Sequence, residues 1–217
     1  MEKVEFSRKY LILNEVLNAV THGIGFGLSI AGLVILLVKG AQMGSALHVV
    51  SYALYGSMLA LLFLSSTLFH SLIFTKAKKV FQVFDHSSIF LLIAGSYTPF
   101  CLLSVDGWLG WTLFGLIWAM AIFGVVYKSV TLHKQDTVKN ASTIIYIIMG
   151  WLCLIAAKPL YDSLSLTGLS LLVAGGVSYT LGAVFYSLKN VRFMHVVWHL
   201  FVMAGAAFMY FSILFFT

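Results

Sequence analysis

The sequence has little charge and few cysteines, and each shortage excludes classes of protein. Of its 217 residues, 9% are charged and 61% are apolar, whereas a soluble domain carries about 25% charged residues. This composition excludes an ordinary soluble domain. It also excludes a disordered chain, because disorder requires low hydrophobicity and high net charge. Cys101 and Cys153 lie in separate apolar runs, so the chain offers neither a disulfide framework nor a CxxC redox or zinc motif.

What the sequence does contain is a series of long apolar runs, which predicts an all-α polytopic membrane protein. We expect a bundle of seven transmembrane helices in a single domain, 1–217, because a crossing helix needs about 20 mostly apolar residues. The runs are continuous and too long for the strands of a membrane barrel. The first run is also too long for the core of a cleavable signal peptide. The predicted spans are 17–38, 47–73, 81–103, 108–127, 142–157, 164–188 and 195–216.

Basic residues are distributed unevenly over the connections, and this distribution predicts the orientation. All but two of the 13 lysines and arginines lie in the N-terminal segment or in the second, fourth and sixth connections, the exceptions being Lys39 and Lys158. The positive-inside rule therefore predicts a cytoplasmic N-terminus and an external C-terminus. We attribute the net charge of +6 to topology and to attraction for lipid headgroups, and expect no nucleic-acid partner. The basic residues predicted to be cytoplasmic are Lys3, Arg8, Lys9, Lys76, Lys78, Lys79, Lys128, Lys134, Lys139, Lys189 and Arg192.

Polar residues inside the spans gather at one predicted depth. Ser66 and His70 are four residues apart near the end of the second span, and Asp85 lies near the start of the third. His195 and His199 open the seventh span with the same spacing of four. In the predicted orientation, these three helix ends all lie in the cytoplasmic half of the bilayer. Ionisable groups at such depths are costly and are functional candidates.

Three imidazoles at one depth predict a zinc site. Two histidines spaced by four residues project from the same helix face, and a third from a neighbouring helix would leave one zinc position to water, as in catalytic sites. Asp85 and Ser66 are then candidate catalytic residues that could orient this water, accept its proton or hold a ligand ring. Imidazoles alone would also suit copper, iron or nickel. The alternative, that the histidines are only hydrogen-bonded interfacial residues, is disfavoured by their shared depth and by the scarcity of charge elsewhere.

Other polar residues allow more than one interpretation. Glu15, Asn18 and His22 share one stripe, and they form either a polar wall or gate beside the zinc site or a helix start whose side chains satisfy free N–H groups. His86 is left outside the predicted site, because consecutive helical residues point about 100° apart. Pro99 is roughly 21 Å along the helix from Asp85, and we expect it to kink the third span.

The polar motifs together carry a resemblance to a known family. They are Glu15-x2-Asn18-x2-Thr21-His22, Ser66-x3-His70, Asp85-His86-Ser87, Gly95-Ser96-Tyr97-Thr98-Pro99 and His195-x3-His199. In this order, over nearly the whole chain, the sequence resembles the bacterial haemolysin III family, the prokaryotic branch of the progestin and adiponectin receptor family. The resemblance implies a multi-pass protein of the bacterial cell (inner or plasma) membrane, with Zn²⁺ held near the cytoplasmic face by three histidines. Those histidines correspond to His70, His195 and His199, with Ser66 and Asp85 near the zinc-bound water.

Two functions remain open at this level. The wider superfamily includes alkaline ceramidases, which share the Ser, Asp and three-His pattern and hydrolyse a lipid amide. The first hypothesis is therefore a zinc-dependent intramembrane hydrolase that acts on a lipid amide or ester in membrane homeostasis. The second is a non-enzymatic sensor, transporter or membrane-lytic protein with a structural zinc. Lysis fits the sequence poorly, because no amphipathic pore-forming segment is present.

Overall fold

Long helices make up the chain, as its apolar runs predict. The computed structural model describes residues 6–105, 107–132, 141–188 and 190–217. Within these ranges there are seven helical segments long and apolar enough to cross a membrane, and no strand, so the predicted seven-helix membrane protein is confirmed. A π-helical turn, Phe100–Ser104, prolongs α3, and a 3₁₀ turn, Leu152–Ala156, joins α5 to α6 within the fifth span. The helices are α1 (Arg8–Gln42), α2 (Ala46–Ser71), α3 (Lys78–Pro99), α4 (Gly107–Thr131), α5 (Ala141–Trp151), α6 (Ala157–Ser163), α7 (Leu166–Ser187) and α8 (Met194–Phe216).

The bounds of two spans differ from the predicted ones by six residues or more. α1 begins at Arg8, whereas the sequence predicts a start at residue 17. Ser7 caps the helix, since its side chain accepts a hydrogen bond from the backbone N–H of Tyr10. Apolar composition marks the membrane-crossing part of a helix, and a capped helix extends beyond that part into polar sequence. The fifth span ends at Ser163 rather than at residue 157. Pro159 lies in the first turn of α6, a position that tolerates proline because no intrahelical N–H bond is lost there.

Several of the charges used to predict orientation lie outside the described ranges, namely Lys3, Lys134, Lys139 and Lys189. The described basic residues still separate between the two ends of the bundle. Lys9 at the start of α1 and Lys128 near the end of α4 lie at one end, whereas Lys39 near the end of α1 lies at the other. The cytoplasmic placement of the first end stays a prediction.

The described helices pack closely around most of the bundle and make sparse contacts only at α5 and α6. α1 packs against α2 and α8, and α2 packs against α3, whereas α5 makes few contacts with α7. Gly56 of α2 permits this approach, because a Cβ there would lie 2.6 Å from the side chain of Leu33 in α1. Small residues at such crossings are typical of membrane bundles. The close packing brings the polar ends of α1, α2 and α8 together. The sparse contacts of α5 leave room for a cavity.

Candidate metal centre

Three histidines converge where α2 ends and α8 begins. One donor atom from each of His70, His195 and His199 lies within 4.8 Å of those from the other two. Their ring centroids are 4.8–5.1 Å apart. His70 and His199 are buried, and His195 is partly buried. The three rings are therefore close enough to form a metal site.

The start of α8 is fixed by a contact with α1. Phe193, just before the helix, has a left-handed backbone conformation with φ of 61°, which is uncommon for a non-glycine residue. Its backbone N–H donates a hydrogen bond of 2.9 Å to the hydroxyl of Tyr10 in α1. The two rings also meet edge to face, with centroids 5.0 Å apart. This anchor sets where α8 begins, and so where His195 and His199 lie relative to α1.

Residues of α1 contact the Nδ1 atoms of two of these histidines, His70 and His199. The Nδ1 atom of His70 lies 2.5 Å from a carboxylate oxygen of Glu15. The Nδ1 atom of His199 lies 3.3 Å from the carbonyl oxygen of Asn18 and 3.4 Å from the hydroxyl of Thr21. Carboxylate and carbonyl oxygens only accept, so each Nδ1 carries a proton, and Nε2 is the nitrogen that can bind a metal. Histidines that bind metals are commonly oriented in this way by a second partner.

The donor chemistry of the cluster fits a metal ion. The Nε2 atom of His70 is buried and has no hydrogen-bond partner among the described residues. A buried nitrogen with a free lone pair is costly unless it meets a donor or a metal. Three imidazoles form a ligand set that suits zinc, with a fourth position left open. The arrangement does not identify the metal, because other transition metals also accept imidazole.

His22 belongs to the same group of side chains. Its ring stacks on that of His199, with centroids 3.6 Å apart and planes 8° from parallel. Neither of its ring nitrogens has a partner in the described part of the chain, although the residue is buried. The interpretation of Glu15, Asn18 and His22 as a helix start is wrong, since α1 begins at Arg8, two turns before Glu15. The polar-wall interpretation agrees with the geometry.

The two other predicted site residues face a cavity that adjoins the histidines. Ser66, Asp85, His195 and His199 all line this cavity, whose volume is about 550 Å³. The Ser66 hydroxyl is buried without a hydrogen-bond partner in the described residues. Asp85 is partly buried. The structure thus brings the predicted carboxylate and hydroxyl to the space beside the histidines.

His86 lines the cavity as well, although the sequence interpretation leaves it out. Its Nδ1 atom lies 2.8 Å from the carbonyl oxygen of Gln82 and 3.5 Å from a carboxylate oxygen of Asp85. The rotation of about 100° between neighbouring residues excludes His86 only if the site is narrow. Here the cavity is wide enough to receive both side chains, and no sequence signal reports that width.

The cavity extends along α3 and is mostly apolar. Its lining includes Asp85 near one end of α3 and Val105 just past the other, a separation of roughly 30 Å for a helix. Pro99 lies within this length and is followed directly by the π-helical turn. Proline lacks the N–H that would continue the α-helical pattern. At Pro99, where the sequence predicts a kink, the structure thus has a widened turn, and this turn contributes to the cavity wall.

The cavity comes close to the outer surface of the bundle between the fifth span and α7. Leu154 and Tyr161 on one side, and Val173 on the other, line the cavity. They are also 63%, 65% and 47% exposed, respectively. Only a single layer of side chains therefore separates the cavity from the outer surface here.

Comparison with known proteins gives a consistent result. Residues 10–210 match a family described as Haemolysin-III related. The chain is 47% identical to "Hemolysin-3" of Bacillus cereus, covering 95% of this chain and 93% of that protein. It is 46% identical to "Hemolysin-3 homolog" of Bacillus subtilis (strain 168), over 95% and 96% of the two chains. It is also 32% identical to "Monocyte to macrophage differentiation factor" of Homo sapiens, over 74% and 67%.

Proposed function

Because the chain belongs to the Haemolysin-III related family, we propose that it is a zinc-dependent hydrolase of a lipid amide or ester, acting in membrane homeostasis. The observation that carries this proposal is a cluster of three histidines at the polar end of an apolar cavity of about 550 Å³. Cavities of this size are typical of sites that bury a small ligand. His70, His195 and His199 would hold the metal. A zinc ion bound there would supply a Lewis acid that polarises a carbonyl group and activates water.

Asp85 is proposed as the general base. Its carboxylate faces the cavity shared with His195 and His199. It would accept a proton from the attacking water and return it to the amine or alcohol that leaves when the C–N or C–O bond breaks. A positioned carboxylate of this kind contributes about 10²–10⁴-fold to a rate. The location of Asp85 beside the histidines, rather than among them, favours this role over metal binding.

Ser66 is proposed to bind oxygen at the reacting centre. Its hydroxyl is buried and lacks a hydrogen-bond partner within the described residues. It can therefore donate to the carbonyl oxygen as negative charge develops there, or to the attacking water. His22, whose ring nitrogens also lack partners in the described ranges, borders the same cavity and adds a second polar contact.

We propose that a lipid substrate enters through a lateral opening between the fifth span and α7. Leu154, Tyr161 and Val173 border the opening, and they present apolar surface where the acyl chains of the bilayer would lie. A lipid could enter sideways and extend its chain along α3, with its polar end at the histidines. With the N-terminus in the cytoplasm, as the charge distribution predicts, the site would act on the inner leaflet of the bacterial cell membrane.

The test is lipid hydrolysis by the purified protein in detergent. We expect turnover of a ceramide or acyl-ester lipid by the wild type, and a loss of about 100-fold or more in Asp85→Asn. The metal content of this variant should stay unchanged, because the histidines remain. Asp162→Asn is the matched control, since Asp162 is exposed in α6 and pairs with Lys158. Equal turnover in wild type and Asp85→Asn would contradict the mechanism and favour a structural metal.

A further inference from the structure

A lysine borders the cavity, and its charge has no role in the proposed hydrolysis. Lys128, near the C-terminal end of α4, lines the cavity together with Asp85. Among the lining residues that the structure describes, it is the only lysine or arginine. A lysine at the end of a membrane helix usually extends outward to the headgroup region. Lys128 instead directs its Nζ atom to the hydroxyl of Ser142 in α5, at 3.2 Å.

Two contacts of α5, from Ser142 to Lys128 and from Tyr146 to His86, indicate how far Lys128 lies from the candidate reacting centre along the helix axis. Tyr146 donates a hydrogen bond of 2.8 Å to the carbonyl oxygen of His86, next to Asp85. Ser142 precedes Tyr146 by four residues, so it lies on the same face of α5 about 6 Å away along the axis. A carboxylate oxygen of Asp85 lies 3.5 Å from the Nδ1 atom of His86, so Asp85 lies at nearly the same level as this carbonyl group. The ammonium group is therefore about one helical turn from the level of Asp85.

Resting on the proposed function, we propose that Lys128 and Ser142 form a headgroup subsite that binds the phosphate of a phospholipid substrate. An ammonium group binds phosphate as a point charge, and a hydroxyl can donate a further hydrogen bond. In a glycerophospholipid the phosphate and the acyl ester are separated by only a few bonds. A phosphate on the α4–α5 side would then leave the ester near the histidines. The carboxylate of Asp85 repels an anion and keeps the phosphate away from its own side.

The spacing and charge of the cavity together define a substrate class. The apolar length along α3 takes an acyl chain, the histidine end takes the carbonyl, and Lys128 takes the anionic group. A neutral lipid fills the first two positions but offers no anionic group to Lys128. The subsite therefore selects an anionic phospholipid over a neutral lipid with the same chains.

The experiment compares binding of phosphatidylglycerol and of diacylglycerol with identical acyl chains to the purified full chain in nonionic detergent. Wild type should prefer phosphatidylglycerol, and Lys128→Gln should bind it about tenfold more weakly with little change for diacylglycerol. Lys128→Arg should retain the preference. Lys79→Gln is the matched control, because Lys79 lies at the same end of the bundle, is exposed and does not line the cavity. Ser142→Ala, a milder change, should weaken the preference in the same direction.

Three results would overturn the proposal. One is a preference for phosphatidylglycerol that stays unchanged both in Lys128→Gln and in Ser142→Ala. Another is an equal loss in Lys79→Gln, which would indicate general surface attraction. The third is a Lys128-dependent thermal shift with inorganic phosphate as large as that with phosphatidylglycerol, which would assign the subsite to free phosphate. Binding measured in Asp85→Asn separates this proposal from the hydrolase. A Lys128-dependent preference without any turnover by wild type would contradict only the hydrolase.

Discussion

Removal of the Glu15 carboxylate should weaken metal binding without removing a metal ligand. Glu15 holds the Nδ1 atom of His70 at 2.5 Å, and the two side chains are 24% and 3% exposed. Without this acceptor, the buried ring loses both its orientation and the partner that favours a proton on Nδ1. Loss of such a supporting contact typically costs 10–100-fold in metal affinity, which corresponds to about 1.4–2.7 kcal/mol. Glu15→Ala should fall within this range, and Glu15→Gln, which keeps an oxygen acceptor, should lie near its lower end.

The assay is competition for zinc between the detergent-solubilised protein and a chromogenic chelator. Asp162→Asn serves as the control, because it removes a carboxylate from an exposed pair with Lys158 outside the cavity. Its zinc affinity should equal that of wild type. An unchanged affinity in Glu15→Ala would refute the reasoning, since it would show that His70 does not depend on α1 for its orientation.

Two further predictions concern the packing that shapes the cavity. Gly110→Ala should lower the thermal unfolding midpoint in detergent, because the new Cβ would lie 2.2 Å from the backbone carbonyl oxygens of Cys101, in the π-helical turn, and of Val105, just after it, and overpacking costs about 1–3 kcal/mol. Gly115→Ala, with nothing within 4 Å, should leave the midpoint unchanged or raise it; equal effects of the two changes would contradict the packing argument. Tyr97→Phe should also lower the midpoint, because the hydroxyl of Tyr97 contacts the carbonyl oxygens of Met149 and Gly150 and the N–H of Cys153. The expected loss in the free energy of unfolding is about 1–3 kcal/mol. A midpoint equal to that of wild type would show that α5 does not need this link.

The number of helices and the meeting of the polar motifs could be predicted from the sequence. Continuous apolar runs specify helices that cross a bilayer, and neighbouring helices alternate in direction. The end of α2 and the start of α8 must then lie on the same side, which brings His70 towards His195 and His199. The same reasoning places Asp85, at the start of α3, on that side.

The rotation of each helix about its axis could not be predicted in the same way. The contact of Glu15 with His70 and the stacking of His22 on His199 depend on how α1 turns towards α2 and α8. Small residues such as Gly56 determine this packing, and one sequence does not reveal which glycines meet which side chains. His86 lines the cavity because the cavity is wide, and this width follows from the sparse contacts of α5 with α7.

The central claim, that three histidines hold one zinc ion, is tested most directly by the metal content of the purified protein. Wild type, His195→Ala and Asp85→Ala would be prepared side by side with zinc in the growth medium and without chelators. The account predicts about one zinc per chain in wild type and in Asp85→Ala, and a loss of zinc in His195→Ala. Wild-type protein without metal, or a His195→Ala variant that keeps its zinc, would contradict the account.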